Sequence, residues 1–498
     1  MNVNPITRLD YPDPDVIRVE DTYYMVSTTM HFMPGCEILQ SFDLVHWEHV
    51  TYVYETLDHT DAQQLKSGQN IYGQGMWAAS LRYHEGRFYI CFVANDTRKT
   101  YLYTSEKIDG PWKKQLIEGF YHDGSLLFDE DGRNYIVYGN DEIWITELNE
   151  DLTAPKKGGL HRLLVSDHKN PELGYEGSHI QKINGYYYIF LVHSLRDRWM
   201  RTEACFYSDS LEGEFTGGDV LCDDRGYCGQ GVAQGGIVDT PDGKWYAMLF
   251  QDSGAVGRIP ILLPVTWKDH FPFFGQNGHV PEEIEVHSTR PGYIYQPLVG
   301  SDDFCNGLLP RWQFNHDPDP RYYHLDALQG TYTITTREVC TELTQAVNTL
   351  TQRMSYPSCA AEVTVDASAL KEGDVAGLCA LQGCYAAVGI TKHHGKYEVL
   401  MLDKKEDGIL DMTEGTVVES HQMDFRLEAD FCNMKDEARC YYRVNKGDWL
   451  PIGTVHKLYF KLDHFTGCRF GLFCYAAEET GGSACFRDFK YYDVDEIS

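Results

Sequence analysis

Five short segments of the chain share one pattern: a turn leads into an aromatic pair, or one aromatic and a polar residue, and then into apolar residues. They are Asp21-Thr22-Tyr23-Tyr24-Met25-Val26, Gly86-Arg87-Phe88-Tyr89-Ile90, Gly132-Arg133-Asn134-Tyr135-Ile136, Gly185-Tyr186-Tyr187-Tyr188-Ile189 and Gly243-Lys244-Trp245-Tyr246-Ala247. Each follows another apolar stretch, so each reads as a β-hairpin turning at Gly, Asp or Asn-Gly. A lone hairpin exposes its edges, and a set of similar hairpins at blade-length intervals leaves only short, protected edges by radial repetition. The pattern predicts an all-β protein that begins with a five-bladed β-propeller.

Composition agrees with strands and narrows the partners. The 498 residues include 34 Tyr and 45 Gly, which suits short strands and tight turns better than long helices. The net charge is −31, which disfavours a nucleic-acid groove and an anionic membrane and leaves a neutral small ligand as the fitting partner. No run of eighteen apolar residues occurs, the stretch Met1-Asn2-Val3-Asn4-Pro5 shows neither a basic n-region nor an apolar h-region, and the 15 Cys are an odd number without CxxC spacing. These features predict a cytoplasmic chain with reduced thiols and leave self-association into a homo-oligomer open.

The repeat also aligns distant residues. Twelve positions before the Tyr that ends each aromatic pair stand Trp77, Asp123, Glu176 and Gln234, and in the first, shorter unit eleven positions back stands Asp13. The first strand of every propeller blade lines the central channel, so a shared register means convergence at one end of the axis. Asp13, Asp123 and Glu176 are therefore expected to face one another. Crowded carboxylates in a partly closed pocket separate into an acid that keeps its proton and a base that does not, the requirement for glycoside hydrolysis. Three acids are also compatible with a bound cation, but the DxDxDG-type loop is absent, as are GxSxG, HExxH and GxxxxGK[ST].

Five ordered motifs make the reading specific: Tyr11-Pro12-Asp13-Pro14-Asp15-Val16, Ser41-Phe42-Asp43-Leu44-Val45-His46-Trp47, Met76-Trp77-Ala78-Ala79-Ser80-Leu81, His122-Asp123-Gly124-Ser125-Leu126-Leu127-Phe128 and Glu176-Gly177-Ser178-His179. Over about the first 295 residues the chain resembles glycoside hydrolase family 43, which contains β-xylosidases and α-L-arabinofuranosidases and works by inversion on a five-bladed propeller. The resemblance implies that Asp13 is the general base, Glu176 the general acid, and Asp123 the third carboxylate that orients the acid and tunes its proton affinity. It also implies that Arg258 contacts substrate. Trp77, Phe32 and Gln234 complete the expected substrate-binding set. Two departures stand out. Ala79 occupies the place of a usual Pro, and Gln234 occupies the place of a His that in many members accompanies a hydrated Ca²⁺. No metal ligand is assigned and no cofactor is required, with a structural Ca²⁺ left open.

The propeller motifs end near Gln296-Pro297, dividing the chain into residues 1–298 and 299–498. In the second part Phe425-Arg426-Leu427-Glu428-Ala429-Asp430-Phe431 alternates strictly, and Thr333–Thr335, Ala361–Val365, Tyr397–Met401 and Arg469–Phe473 add strands, with a hairpin turn at Val444–Trp449. This predicts a β-sandwich, similar to the jelly-roll or concanavalin-like domain that packs beside the catalytic mouth in the longer β-xylosidases. The alternative role is carbohydrate binding through Trp312 or Trp449. The expected function is exo-acting release of terminal D-xylose, with or without L-arabinofuranose, from short oligosaccharides. The alternatives are an α-L-arabinofuranosidase acting on arabinan or arabinoxylan side chains, and a non-catalytic carbohydrate-binding propeller.

Overall fold

The computed structural model describes residues 2–413 and 415–493. Residues 15–274 form five antiparallel sheets of four strands, each a propeller blade; four are built from consecutive strands, and the first is interrupted by the short strand Phe32–Met33. The innermost strands are Asp15–Val19, Met76–His84, Ser125–Phe128, Glu176–Ile183 and Ala233–Asp239, each paired with the strand that carries its repeat. The turns have the backbone that the sequence demands. Glu85 and Gly86 have φ of 48° and 77°, and Asn184 and Gly185 have φ of 50° and 86°, the left-handed pair that matches strand twist in a two-residue hairpin. Tyr23, Tyr135 and Tyr188 of the repeat are buried between sheets, which is why an aromatic recurs there. The N-terminal segment closes the ring: Asn4 donates to the carbonyl of Leu262 at 2.8 Å and accepts its N–H at 3.1 Å.

The blades meet on a buried polar axis. Asp15 Oδ2 accepts the Leu81 N–H at 2.7 Å and an Arg82 N–H at 2.8 Å, while Asp15 Oδ1 lies 3.0 Å from His179 Nδ1. Arg82 continues to Ser125 Oγ at 2.6 Å and the Leu126 carbonyl at 2.8 Å. Burial opposes the Asp15 charge, but Arg82 and His179 outweigh it and hold the carboxyl down at about 2.

The second part is a sandwich of two sheets. One runs, in spatial order, through Tyr323–Asp326, Thr331–Thr335, Ser483–Asp493, Ser358–Asp366, Gln422–Asp430, Glu437–Arg443 and Leu450–Lys457. Met423, Phe425, Leu427 and Ala429 point into the core as the alternation requires. The facing sheet is centred on Val375–Leu381, Arg469–Tyr475 and Leu350–Arg353, and it ends on a strand of the propeller, Phe32–Met33, paired with Gln313–Asn315. Trp312 is 1% exposed and donates to Asp302 Oδ2 at 2.8 Å, so it serves the core rather than a sugar-binding face. Gly300 is tied in both directions to the Gln352 amide at 3.1 Å, and this fixes the connection between the two units.

A buried cation crosses the seam. Arg353 of the sandwich lies 2.8 Å from Glu37 Oε2, donates to the Asp10 carbonyl at 2.8 Å and stacks 4.0 Å over the Tyr11 ring. Burial raises the Glu37 carboxyl, yet Arg353 and His49 outweigh burial and hold it at about 2. Because that value is depressed, the pair's stabilisation is present above the ordinary carboxylate range and fades as pH falls toward 2. Arg353→Met is expected to destabilise the protein by about 3–5 kcal/mol at neutral pH, since it strands a buried charge. Adding Glu37→Gln should recover a large part of that loss in denaturant titrations. Additive losses would contradict the pairing.

Candidate active site

All five register residues, Asp13, Trp77, Asp123, Glu176 and Gln234, line one pocket at the end of the propeller axis, with a cavity of about 600 Å³. Their convergence has a local cause. Asp13, Asp123 and Gln234 have φ of 53°, 47° and 62°. The pairing of the inner strand slips after Met76, after Glu176 and after Ala233 in three different blades. Such bulges turn the chain and re-aim side chains, and left-handed backbone at these points is strain concentrated at one site. Gly177, with φ of 66°, is required because an added Cβ would lie 2.7 Å from Gln234 Cγ.

The three acids have different partners. Asp13 accepts the Thr28 hydroxyl at 2.7 Å on Oδ2 and an Arg258 N–H at 2.9 Å on Oδ1. Asp123 Oδ2 accepts the Gly177 N–H at 2.9 Å. Glu176 Oε2 accepts from Asn140 at 3.0 Å and from His122 Nε2 at 3.4 Å, and Oε1 has no hydrogen-bond partner among the described residues. Burial, then the charges of Glu176 and Asp13, push the Asp123 carboxyl up to about 6 against the pull of His122. Burial works against a charge on His122, but Asp123, the hydrogen bond to Glu176 and the charges of Glu176 and Asp13 push its imidazole up to about 9.

Arg258 is buried, stands between Asp13 and Asp252, and faces the rings of Phe465 at 4.1 Å and Phe250 at 4.9 Å. It lines the pocket as expected, and its first geometric effect is to hold Asp13. Gln234 also lines the pocket, its backbone N–H donating to Glu203 Oε2 at 2.7 Å. Phe32 does not reach the pocket. Its two-residue strand is captured by the sandwich, and its ring packs 3.5 Å beneath the Arg469 guanidinium, which Gln313 holds at 2.8 Å. The expected role of Phe32 in sugar binding is corrected accordingly.

The aromatic face comes instead from the sandwich. Phe465 sits 5.5 Å from the Trp77 ring, with Phe460 beside it at 5.8 Å. Their loop is fastened to the propeller: Asp10 accepts the N–H groups of Gly467 and Arg258 at 2.8 Å each, and the Cys468 N–H donates to the Ala255 carbonyl at 2.8 Å. Trp199, Arg201 and Asp252 also line the pocket, and Arg201 and Asp252 form an ion pair. Sequence reasoning missed these residues. His122 adjoins a register acid and was visible in principle, whereas nothing in the repeat points to a loop of the second domain.

The resemblance raises a hydrated Ca²⁺ on the axis, and the groups there do not fit one. Both Asp15 oxygens are engaged, Arg82 already supplies the cation, and burial raises the Glu203 carboxyl behind Gln234 well above the usual range, favouring its neutral form. His122, Asp123 and Glu176 bring one ligand-type atom each within 4.8 Å of one another, the only such group among the described residues. His122 Nε2 is already turned to both carboxylates, 3.4 Å from Glu176 Oε2 and 3.5 Å from Asp123 Oδ2.

A propeller pocket with three carboxylates, one of them raised toward neutrality, beside aromatic rings defines a glycoside hydrolase site. Residues 3–272 match the model for glycosyl hydrolases family 43, and residues 301–492 match the model for a beta xylosidase C-terminal concanavalin A-like domain. The chain belongs to glycosyl hydrolase family 43. It is 27% identical over 554 residues to a protein named beta-xylosidase from Formosa agariphila, covering 99% of this chain and 89% of that one. It is 26% identical over 347 residues to a non-reducing end alpha-L-arabinofuranosidase of Bacteroides ovatus, covering 66% and 63%. Among solved structures it is similar to a bifunctional GH43-CE protein of Bacteroides eggerthii, with TM-score 0.92 and 42% identity over 99% of this chain. The chain spans 64% of that solved chain's length. An engineered GH43 hydrolase with endo-xylanase and exo-arabinofuranosidase activity matches at TM-score 0.86 and 27% identity, covering 99% of each chain.

A Cβ added to Gly467 would lie 2.1 Å from the Val256 carbonyl oxygen. Gly467→Ala should therefore displace the Phe465 loop and lower kcat/KM about 10- to 100-fold while the propeller stays folded. Steady-state kinetics with a matched thermal unfolding scan check this, and unchanged kinetics would contradict the loop's role.

Proposed function

We propose that the chain is an exo-acting, inverting glycoside hydrolase that releases terminal D-xylose from xylo- or arabinoxylo-oligosaccharides. Residues 1–298 form the catalytic unit and residues 299–498 the domain that packs beside its mouth. Glu176 donates a proton to the leaving oxygen, Asp13 takes a proton from the water that attacks C1 from the opposite face, and Asp123 stabilises and orients Glu176. Arg258 and Thr28 hold the Asp13 carboxylate, so its proton-accepting lone pairs are directed before substrate arrives. Trp77 and Phe465 offer apolar faces to the pentose ring, and no metal takes part in a step.

The observation that carries this reading is that the pocket is walled on one side by the sandwich loop, with Phe465 between Trp77 and Arg258. A walled pocket accepts the end of a chain and disfavours its middle. Relatives named for both xylosidase and arabinofuranosidase activity keep α-L-arabinofuranose as the second substrate. A purely sugar-binding propeller is disfavoured because it has no use for three converging acids. The fifteen thiols, none bridged, fit a reducing compartment, which supports a cytoplasmic site of action on imported oligosaccharides.

Parallel hydrolysis of aryl β-D-xyloside and aryl α-L-arabinofuranoside tests the substrate, with the xyloside expected to have the higher kcat/KM. The reverse order would favour the arabinofuranosidase reading. Glu176→Gln should lose about 10²-fold or more on xylobiose and far less on an activated aryl xyloside, because only the poor leaving group needs the proton. Asp13→Asn should cripple both, and equal losses on the two substrates in Glu176→Gln would contradict the assigned roles.

A further inference from the structure

His122 stands where four blades meet the pocket, and none of the roles above uses it. Its Nε2 lies 3.4 Å from Glu176 Oε2 on the fourth blade and 3.5 Å from Asp123 Oδ2 on its own. Its ring meets Trp77 of the second blade edge-on at 5.8 Å, and Asp13 of the first blade adds a third negative charge to its surroundings. Arg258 on the fifth blade is a second cation of the pocket and pairs with Asp13, while Arg201 pairs with Asp252. Glu176 also accepts from Asn140, again on Oε2.

Both donors thus converge on one oxygen of Glu176. A carboxyl whose Oε2 receives two N–H groups is anionic in character on that side, so a bound proton belongs on Oε1, the oxygen without a partner. We propose that His122 is a positioning residue for proton donation: its Nε2–H bridges Glu176 Oε2 and Asp123 Oδ2, places the transferable proton on Glu176 Oε1, and sets the upper pH limit of the carboxyl cluster with its positive charge. The balance is simple. The proton leaves Glu176 Oε1 for the glycosidic oxygen as the C1–O bond breaks. The anion left on Glu176 faces an imidazolium already in place, and His122 itself neither gains nor loses a proton. The raised proton affinity of the imidazole agrees with this role. Burial alone would favour a neutral ring, and three carboxylates around it reverse that preference.

The inference rests on Glu176 being the proton donor, and the test separates the two. His122→Gln keeps a donor and removes the charge, whereas His122→Phe keeps a ring and removes both. Both should move the alkaline limb of kcat/KM upward by about 1 pH unit, because an opposite charge within hydrogen-bonding range no longer favours the ionised cluster. His122→Phe should also lose kcat about 10-fold or more on xylobiose and far less on an activated aryl xyloside, with His122→Gln restoring much of the loss. Equal losses on both substrates with an unmoved limb would reduce His122 to packing and overturn the proposal. If neither variant folds, ¹⁵N-histidine spectra of the intact enzyme decide. One imidazole should stay protonated at pH 8 and lose that protonation in Asp123→Asn, and the lack of any such signal overturns the bridge. Loss of leaving-group dependence in Glu176→Gln, with the bridging imidazolium still seen, would instead overturn the donor assignment and leave the bridge standing.

Discussion

The carboxylate of Asp15 is the point on which the propeller closes. It binds the second blade through the Leu81 N–H and Arg82, and the fourth through His179, while Arg82 carries the connection to Ser125 on the third. Burying an ion pair of this kind adds little net stability, because desolvation consumes the attraction. What it supplies is a unique arrangement: with Asp15 buried, any other packing of the blades leaves a charge unpartnered. The active site inherits that precision, since three members of the axial network, Asp15, Ser125 and His179, are near neighbours in sequence of a pocket acid. Asp13 precedes Asp15 by two residues, Asp123 precedes Ser125 by two, and Glu176 precedes His179 by three. Holding the axis therefore holds the acids.

Three carboxylates facing one pocket would repel one another, and two cations in different positions resolve this. Arg258 pairs with Asp13, and His122 lies between Asp123 and Glu176. The site is consequently divided into a half in which one carboxylate is paired with a guanidinium and a half in which two carboxylates face one imidazole. Asp123, with burial and two acid neighbours, is pushed to about 6, within the range where a carboxyl exchanges its proton near neutrality. The sandwich completes the pocket chiefly through a fastened loop whose Phe465 ring faces both Trp77 and the Arg258 guanidinium.

Much of this was legible in the sequence, and the reason is periodicity. Hairpin turns and aromatic pairs recur because every blade solves the same packing problem, and counting from the Tyr that ends each pair is enough to bring Asp13, Trp77, Asp123, Glu176 and Gln234 together. The strict alternation from Phe425 to Phe431 likewise announces a sandwich strand. Contacts without a period were not legible. Phe32 lies near a strand end in the first blade and invites a reading as a pocket residue, yet it pairs with Asn315 of the other domain. Phe465 belongs to a loop with no regular pattern, and its place depends on Gly467 fitting against Val256 and Asp10, a close approach that only the assembled domains reveal.

The stereochemistry of the first product tests the account most directly. If Asp13 activates water on the face opposite Glu176, ¹H NMR during hydrolysis of an aryl β-D-xyloside should show α-D-xylose first, with the β-anomer growing in only by mutarotation. Initial appearance of β-D-xylose would mean a covalent intermediate, and the roles assigned to Asp13 and Glu176 would then be wrong.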